Sequence, residues 1–139
     1  MADVGLVLVD TSVWVRFLRV AHSLEAQVLD TLLVAGPVAT CPPIRAEVIS
    51  SASTKRECDR LLGVFDALVM LEPPPRVWEL IAEYRFALAR RGIHASLVDL
   101  FIAVTAHTHR VALWTLDDDF THIVEVLPFN RFHPRSTVK

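Results

Sequence analysis

Cysteine is scarce in this chain. Cys41 and Cys58 are the two thiols, and no CxxC spacing joins them, so neither a zinc framework nor a disulfide scaffold is expected. No apolar run approaches the ~18 residues that a membrane span needs. The opening MADVGLVLVD carries an acid and has neither the basic start nor the small-residue cleavage site of a secretory signal. A cytoplasmic protein without a membrane partner is expected. Glycine is limited to four residues, and no Gly-rich phosphate loop, H-E-x-x-H pair or G-x-S-x-G elbow occurs. Neither sign of charge dominates: the formal net charge is −2.

What remains is apolar and regularly patterned. The 139 residues suffice for one domain spanning 1–139 with a proper core, 53% of them are hydrophobic, and 22% are charged, which argues against disorder. Residues 6–9 read as a buried strand, followed by a helix over 11–19. Ser23 opens a second helix, with Leu24, Val28, Leu32 and Leu33 at helical spacing. Gly36-Pro37 ends it, and residues 38–41 form a second strand. Pro42-Pro43 starts a helix, as suits proline in a first turn, and Thr54 with Glu57 resembles a capping box for the next.

Residues 68–71 read as a third strand, closed by Pro73-Pro74-Pro75. A long helix over 76–91 follows, with Val77, Ile81, Tyr84 and Leu88 on one stripe and Gly92 at its end. Ser96 caps a helix that is apolar nearly all round (LVDLFIAVTA) and therefore central. Residues 111–115 read as a fourth strand and 123–127 as a fifth. A short, frayed tail is expected beyond about residue 134. Strands alternating with helices predict an α/β sandwich built on a parallel sheet.

Ligands of such sheets bind beyond the carboxyl ends of the strands. Asp10 follows the first strand, Asp117 the fourth, Glu47 lies one turn into the helix after the second, and Asp99 opens the central helix. Each has an ordinary explanation. Asp10 reads equally as a helix cap, and Ser96-x-x-Asp99 as a capping box. Glu47 reads as a surface glutamate with its stem along an apolar face, and Asp117, Asp118 and Asp119 as a polar turn. Their convergence on one edge favours a shared site. Clustered carboxylates repel one another unless cations intervene, and hard oxygen donors without His or Cys suit Mg²⁺ or Mn²⁺. With those four acids set aside, the rest of the chain carries +2. Lys55 and Lys139 are its lysines and the other twelve of the fourteen cations are arginines, which leaves a phosphate-bearing partner open. The histidines offer no rival centre: His107 and His109 are too close on a helix to share a face. Trp14, Trp78 and Trp114 read as core or interface anchors rather than base-stacking platforms.

The stretches LVLVDTSVW, PPIRAEV, SLVDLFIAVTAH and ALWTLDDDF, in this order, resemble the PIN-domain ribonucleases, and among them the VapC toxins of bacterial toxin–antitoxin pairs. The resemblance covers nearly the whole chain. It implies a five-stranded parallel sheet flanked by helices and a Mg²⁺-dependent endoribonuclease, with Mn²⁺ as a substitute. It implies water attack that leaves a 3′-hydroxyl and a 5′-phosphate, and thereby inhibition of translation and growth. The family's acids fall on Asp10, Glu47, Asp99 and Asp117, with a metal held by Asp10, Asp99, Asp117 and the extra acid Asp119. Ser12 and Thr115 fall on its supporting hydroxyls. Alternation along the chain makes Asp118 the least suited of the three consecutive acids.

Arg16, Arg19 and Arg45 are the expected grips for RNA phosphates, with plain surface charge an equal reading. The resemblance further implies a homodimer, with apolar contacts sought at Leu24, Val28 and Leu32 and over residues 64–71, or these positions are core. It also implies a VapB-type antitoxin whose tail lies between helices 24–33 and 44–49 and places a cation at the acids. An RNA-processing PIN nuclease without an antitoxin is the alternative. A haloacid-dehalogenase-type phosphatase would want an acid where Ser12 stands. A receiver-like binding module would want adjacent acids after the first strand and a lysine after the last.

Overall fold

The computed structural model describes residues 5–135; the tail expected beyond residue 134 lies, apart from Arg135, outside them. In chain order the elements are β1 (Val7–Val9), α1 (Thr11–Arg19), α2 (Leu24–Ala35), β2 (Val38–Thr40), α3 (Pro42–Ser50) and α4 (Lys55–Asp66). There follow β3 (Val69–Met70), α5 (Val77–Arg90), α6 (Leu97–His109), β4 (Ala112–Trp114) and α7 (Phe120–Ile123). The local signals account for most boundaries. Ser23, Thr54 and Ser96 each accept the backbone N–H of the third residue on, Ala26, Glu57 and Asp99 respectively, which satisfies one orphan donor per helix. Gly36 closes α2 in the left-handed region at φ 97°, where a Cβ would be strained.

All strands are parallel, in the order β3-β2-β1-β4. The chain steps outward from β1 through β2 to β3, then returns to the other side of β1 with β4. The order therefore reverses between β1 and β4, and a crevice opens at their carboxyl ends. The register there is tight: Val9 pairs with Trp114, and the Asp10 amide donates to the Trp114 carbonyl at 2.9 Å. The residues that leave the sheet next, Asp10 and Thr115, are thus neighbours.

The expected fifth strand is not formed. Residues 120–123 are helical, and the backbone amides of Val126 and Leu127 donate to the Ile123 carbonyl, so the turn that begins at Phe120 consumes those groups within the chain. The place beside β4 is taken by a one-residue parallel bridge between Leu113 and Arg131, with Asn130 and Phe132 bonded to Leu113.

The core lies on both faces of the sheet. α6 is buried along residues 100–106, as its all-round apolarity demands. On the other face Trp14 is fully buried against Phe65, with ring centroids 4.7 Å apart, and edge-on to Phe17. Trp114 is likewise core, whereas Trp78 is 60% exposed. Val28 and Leu32 of α2 are core residues too, which removes them from the expected dimer surface, while Leu24 and Val69 stay exposed. α1 packs against both α2 and α3, so any groove between those two helices is floored by α1.

Truncating Trp14 to alanine should cost about 3–5 kcal/mol, the usual range for an emptied aromatic site. Val34→Ala, at a position 92% exposed, should change stability by less than about 0.5 kcal/mol. Urea unfolding of both variants checks the pair, and equal losses would contradict this assignment of the core.

Candidate active site

The helix after β1 begins at Thr11, and Asp10 occupies the position before it. Its carbonyl accepts the amides of Val13 and Trp14 at 3.1 and 3.3 Å, but its carboxylate caps nothing. Instead Asp10 Oδ2 accepts two hydroxyl protons, from Ser12 Oγ at 2.7 Å and from Thr115 Oγ1 at 2.8 Å. Each hydroxyl oxygen in turn accepts a backbone amide of the segment after β4: Leu116 N–H to Ser12 at 3.0 Å and Asp117 N–H to Thr115 at 3.0 Å. Asp10 is 5% exposed, and a carboxylate that deep is tolerable because its oxygen is bonded. Asp10 thus holds the N-cap position without acting as a side-chain cap: its carboxylate turns to the hydroxyls of Ser12 and Thr115 and lines the cleft.

The next turn is shaped by Asp117, whose Oδ1 accepts the Asp119 amide at 2.9 Å, an Asx-turn. It folds the segment so that one carboxylate oxygen each of Asp99, Asp117 and Asp119 lies within 4.8 Å of the other two. Asp118 is exposed and belongs neither to this trio nor to the cleft lining. The pairing of 117 with 119 arises from this turn, not from strand alternation. Asp10, Glu47, Asp99 and Asp117 line one open cleft of about 550 Å³ together with Thr11 and Ser12. Glu47 stands exposed at its margin, where its Oε1 accepts the Thr11 hydroxyl at 2.9 Å.

Crowding shows in the titration of Asp99. Partial burial, reinforced by the negative charge of Asp117 and more weakly by Asp10 and Asp119, pushes its carboxyl up to about 6, against the pull of the Ser96 hydroxyl. Asp99 sits in the first turn of α6, where the helix dipole favours the ionised form; desolvation and repulsion outweigh it. Cys41 borders this region, and burial pushes its thiol up to about 12, so it stays protonated near neutrality and is no nucleophile.

The expected RNA grips fall elsewhere. Arg16 pairs with Glu25 of α2, and Arg45 with Asp66 of α4 at 2.8 Å; neither they nor Arg19 lines the cleft. At ~1.5 Å rise per residue, Arg16 and Arg19 lie about 8 and 12 Å along α1 from Thr11, so the helix carries them away from the edge. The cation that does line the cleft is Arg85 of α5. No motif spacing ties it to the acids, and only the packing of α5 beside α6 brings it there.

An α/β domain with a carboxylate-lined cleft at the switch point of a parallel sheet is the class that this fold and site define. The chain belongs to the PIN domain family, whose model matches residues 7–126. Ribonuclease VapC21 of Mycobacterium tuberculosis is 34% identical to it over 102 residues, 70% of this chain and 73% of that protein. Among solved structures, VapBC-5 of Mycobacterium tuberculosis, a member of the VapBC family of toxin–antitoxin systems, superposes with a TM-score of 0.61. It shares 25% identity over 94% of this chain and 100% of its own. VapBC-1 from nontypeable Haemophilus influenzae has a TM-score of 0.70 at 17% identity, over 91% and 97% of the two chains, and shows likeness of fold. Among the described residues no helix is long and apolar enough to cross a membrane.

The raised Asp99 carboxyl sets a pH dependence with a definite sign. The unfolded chain releases this proton near 3.8 and the folded one near 6, so between those values the folded state binds more protons. Stability contributed by protonated Asp99 is present at low pH and lost as pH rises through this window. In EDTA, Asp99→Asn should therefore become more stable than the parent as pH climbs from about 4 to 6, with the gap constant above. Thermal unfolding across pH measures it; a gap that narrows with rising pH would contradict the crowding.

Proposed function

We propose that this protein is a metal-dependent endoribonuclease that acts as the toxin of a VapBC-type toxin–antitoxin pair, inhibiting translation and growth by RNA cleavage. The observation that carries the reading is the meeting of Asp99, Asp117 and Asp119 within 4.8 Å beside the clamped Asp10. The names of the relatives, ribonuclease VapC21 among them, point the same way.

The donor set fits a divalent cation. It is all oxygen, it is hard, and its charges crowd enough to raise Asp99, a cost that a bound cation would remove. Asp99, Asp117 and Asp119 would hold the ion, with Asp10 completing the set from the same cleft. When bound, Mg²⁺ or in its place Mn²⁺ supplies positive charge that activates the attacking water and steadies the phosphoryl oxygens. Glu47 orients that water and accepts its proton on Oε2, the oxygen not engaged by Thr11. Asp10, bonded to the hydroxyls of Ser12 and Thr115, fixes the segment that carries Asp117 and Asp119. The products expected are a 3′-hydroxyl and a 5′-phosphate.

Two partners complete the reading. One is an antitoxin whose tail passes α1–α3 and sets a cationic side chain at the carboxylates. The other is a second copy of this chain. The fold leaves Trp78, Phe86, Leu97 and Val98 exposed at 60%, 67%, 45% and 39%, and the first three line one cavity between α5 and α6, with Arg85 and His94 at its edge. That face, rather than α2, is the dimer surface we assign.

Purified protein should cut single-stranded or loop RNA with Mg²⁺ or Mn²⁺ and lose that activity in excess EDTA. Asp10→Asn and Asp99→Asn should each abolish cleavage while the circular dichroism stays native. Robust cleavage in EDTA would sink the metal mechanism. For the dimer, Phe86→Glu should yield monomers in sedimentation at concentrations where the parent is dimeric; an unchanged dimer would place the interface elsewhere.

A further inference from the structure

We infer that Arg85 holds a phosphate of the substrate strand at the cleft; this deepens the ribonuclease reading and rests on it. Among the described residues lining the cleft, Arg85 is the one Lys or Arg, set among four carboxylates. A guanidinium in such company is ordinarily drawn into an ion pair. Yet among the described residues no carboxylate oxygen lies within 4.0 Å of it. What restrains it is a neutral partner: Arg85 Nε donates to the Ala95 carbonyl at 3.2 Å.

Ala95 is buried and directly precedes Ser96, the cap of α6. The bond therefore fastens the guanidinium to the same turn that positions Asp99. It uses one of the five N–H donors and leaves the four on the terminal nitrogens. A planar fork with two free amino groups matches two phosphate oxygens at once.

The electrostatics call for such a group. A phosphodiester entering the cleft meets four carboxylates, and the arginines of α1 and α3 nearest in sequence to the acids are engaged, Arg16 by Glu25 and Arg45 by Asp66. Arg85 supplies a positive charge that pairs with no acid among the described residues. Its role is to bind and register the strand while the carboxylates carry the chemistry. A purely structural Arg85, pinning the turn before α6, is the rival explanation.

Binding separates the two. In an Asp99→Asn background, which does not cut, anisotropy of a labelled mixed-sequence single-stranded RNA is followed with Mg²⁺ over a series of monovalent salt concentrations. Arg85→Gln should weaken binding about tenfold, as loss of a charged hydrogen bond does. It should also flatten the slope of log affinity against log salt by about 0.7, one phosphate contact fewer on a single strand. Arg85→Lys keeps the charge but cannot make the Nε bond to Ala95, so it should retain the slope and most of the affinity. Unchanged affinity and slope in Arg85→Gln would overturn the inference, as would equal damage in the Lys and Gln variants. Failure of the parent itself to cut or bind RNA would strike the ribonuclease reading and take Arg85 with it. A parent that cuts while Arg85→Gln binds as before sinks Arg85 alone.

Discussion

One buried oxygen organises this structure. Asp10 Oδ2 takes hydroxyl protons from Ser12, two residues on, and from Thr115, 105 residues away. Those two hydroxyls then hold the amides of Leu116 and Asp117. Hydrogen bonds to a charged group contribute about 1.5–3 kcal/mol each, and here they also offset the desolvation of a nearly buried carboxylate. The clamp depends on sheet register. Because Val9 lies opposite Trp114, the chains leave β1 and β4 side by side, and the first polar residue of each meets the other. A slip of one residue would turn Asp10 to the opposite face, and the path of residues 116–119 would lose its anchor.

Much of this was legible from residue types alone. Prolines at 42 and 43, glycines at 36 and 92 and the Ser and Thr caps mark helix boundaries through local backbone chemistry, which a sequence displays directly. The parallel sheet followed from strands alternating with helices. The fifth strand did not, because Ile123, Val124, Val126 and Leu127 have side chains that suit a strand but stand in a turn. The backbone bonds from Phe120 onward decide that, aided by Pro128, which ends it. The segment that does reach β4, Asn130 to Phe132, is polar at two of its three positions and gives no strand signal.

The site divides in the same way. Chain order and the carboxyl-edge rule bring Asp10, Glu47, Asp99 and Asp117 to one cleft, since topology alone fixes edges. Distances within it are a matter of local turns. The Asx-turn at Asp117 draws Asp119 into the close trio with Asp99, while Asp10 lines the cleft with its Oδ2 committed to the clamp. Arg85 was invisible because its neighbourhood arises from packing of α5 on α6 and carries no spacing signature. Trp78 parts from Trp14 and Trp114 for a simple reason: its apolar neighbours in sequence, Val77 and Ile81, are core, while its own indole is exposed, which removes the core half of its reading and leaves the interface half.

Burial grades across the carboxylates, and the gradation bears on how such a site works. Asp10 is nearly inaccessible, Asp99 and Asp117 are half-buried, and Glu47 and Asp119 are exposed. The innermost acid is held by two hydroxyls, whereas exposed Glu47 accepts one, from Thr11. Asp99 carries the raised carboxyl because partial burial and the nearby negative charge of Asp117 act on it together. The cleft thus runs from exposed carboxylates at its mouth to a clamped one at its floor. The core and its clamp fix the floor of the cleft, whereas the acids open to solvent stand on its rim. The rim draws on α3, α5 and the turn after β4, whose apolar faces are anchored in the core, while the register of β1 on β4 holds Asp10 in place.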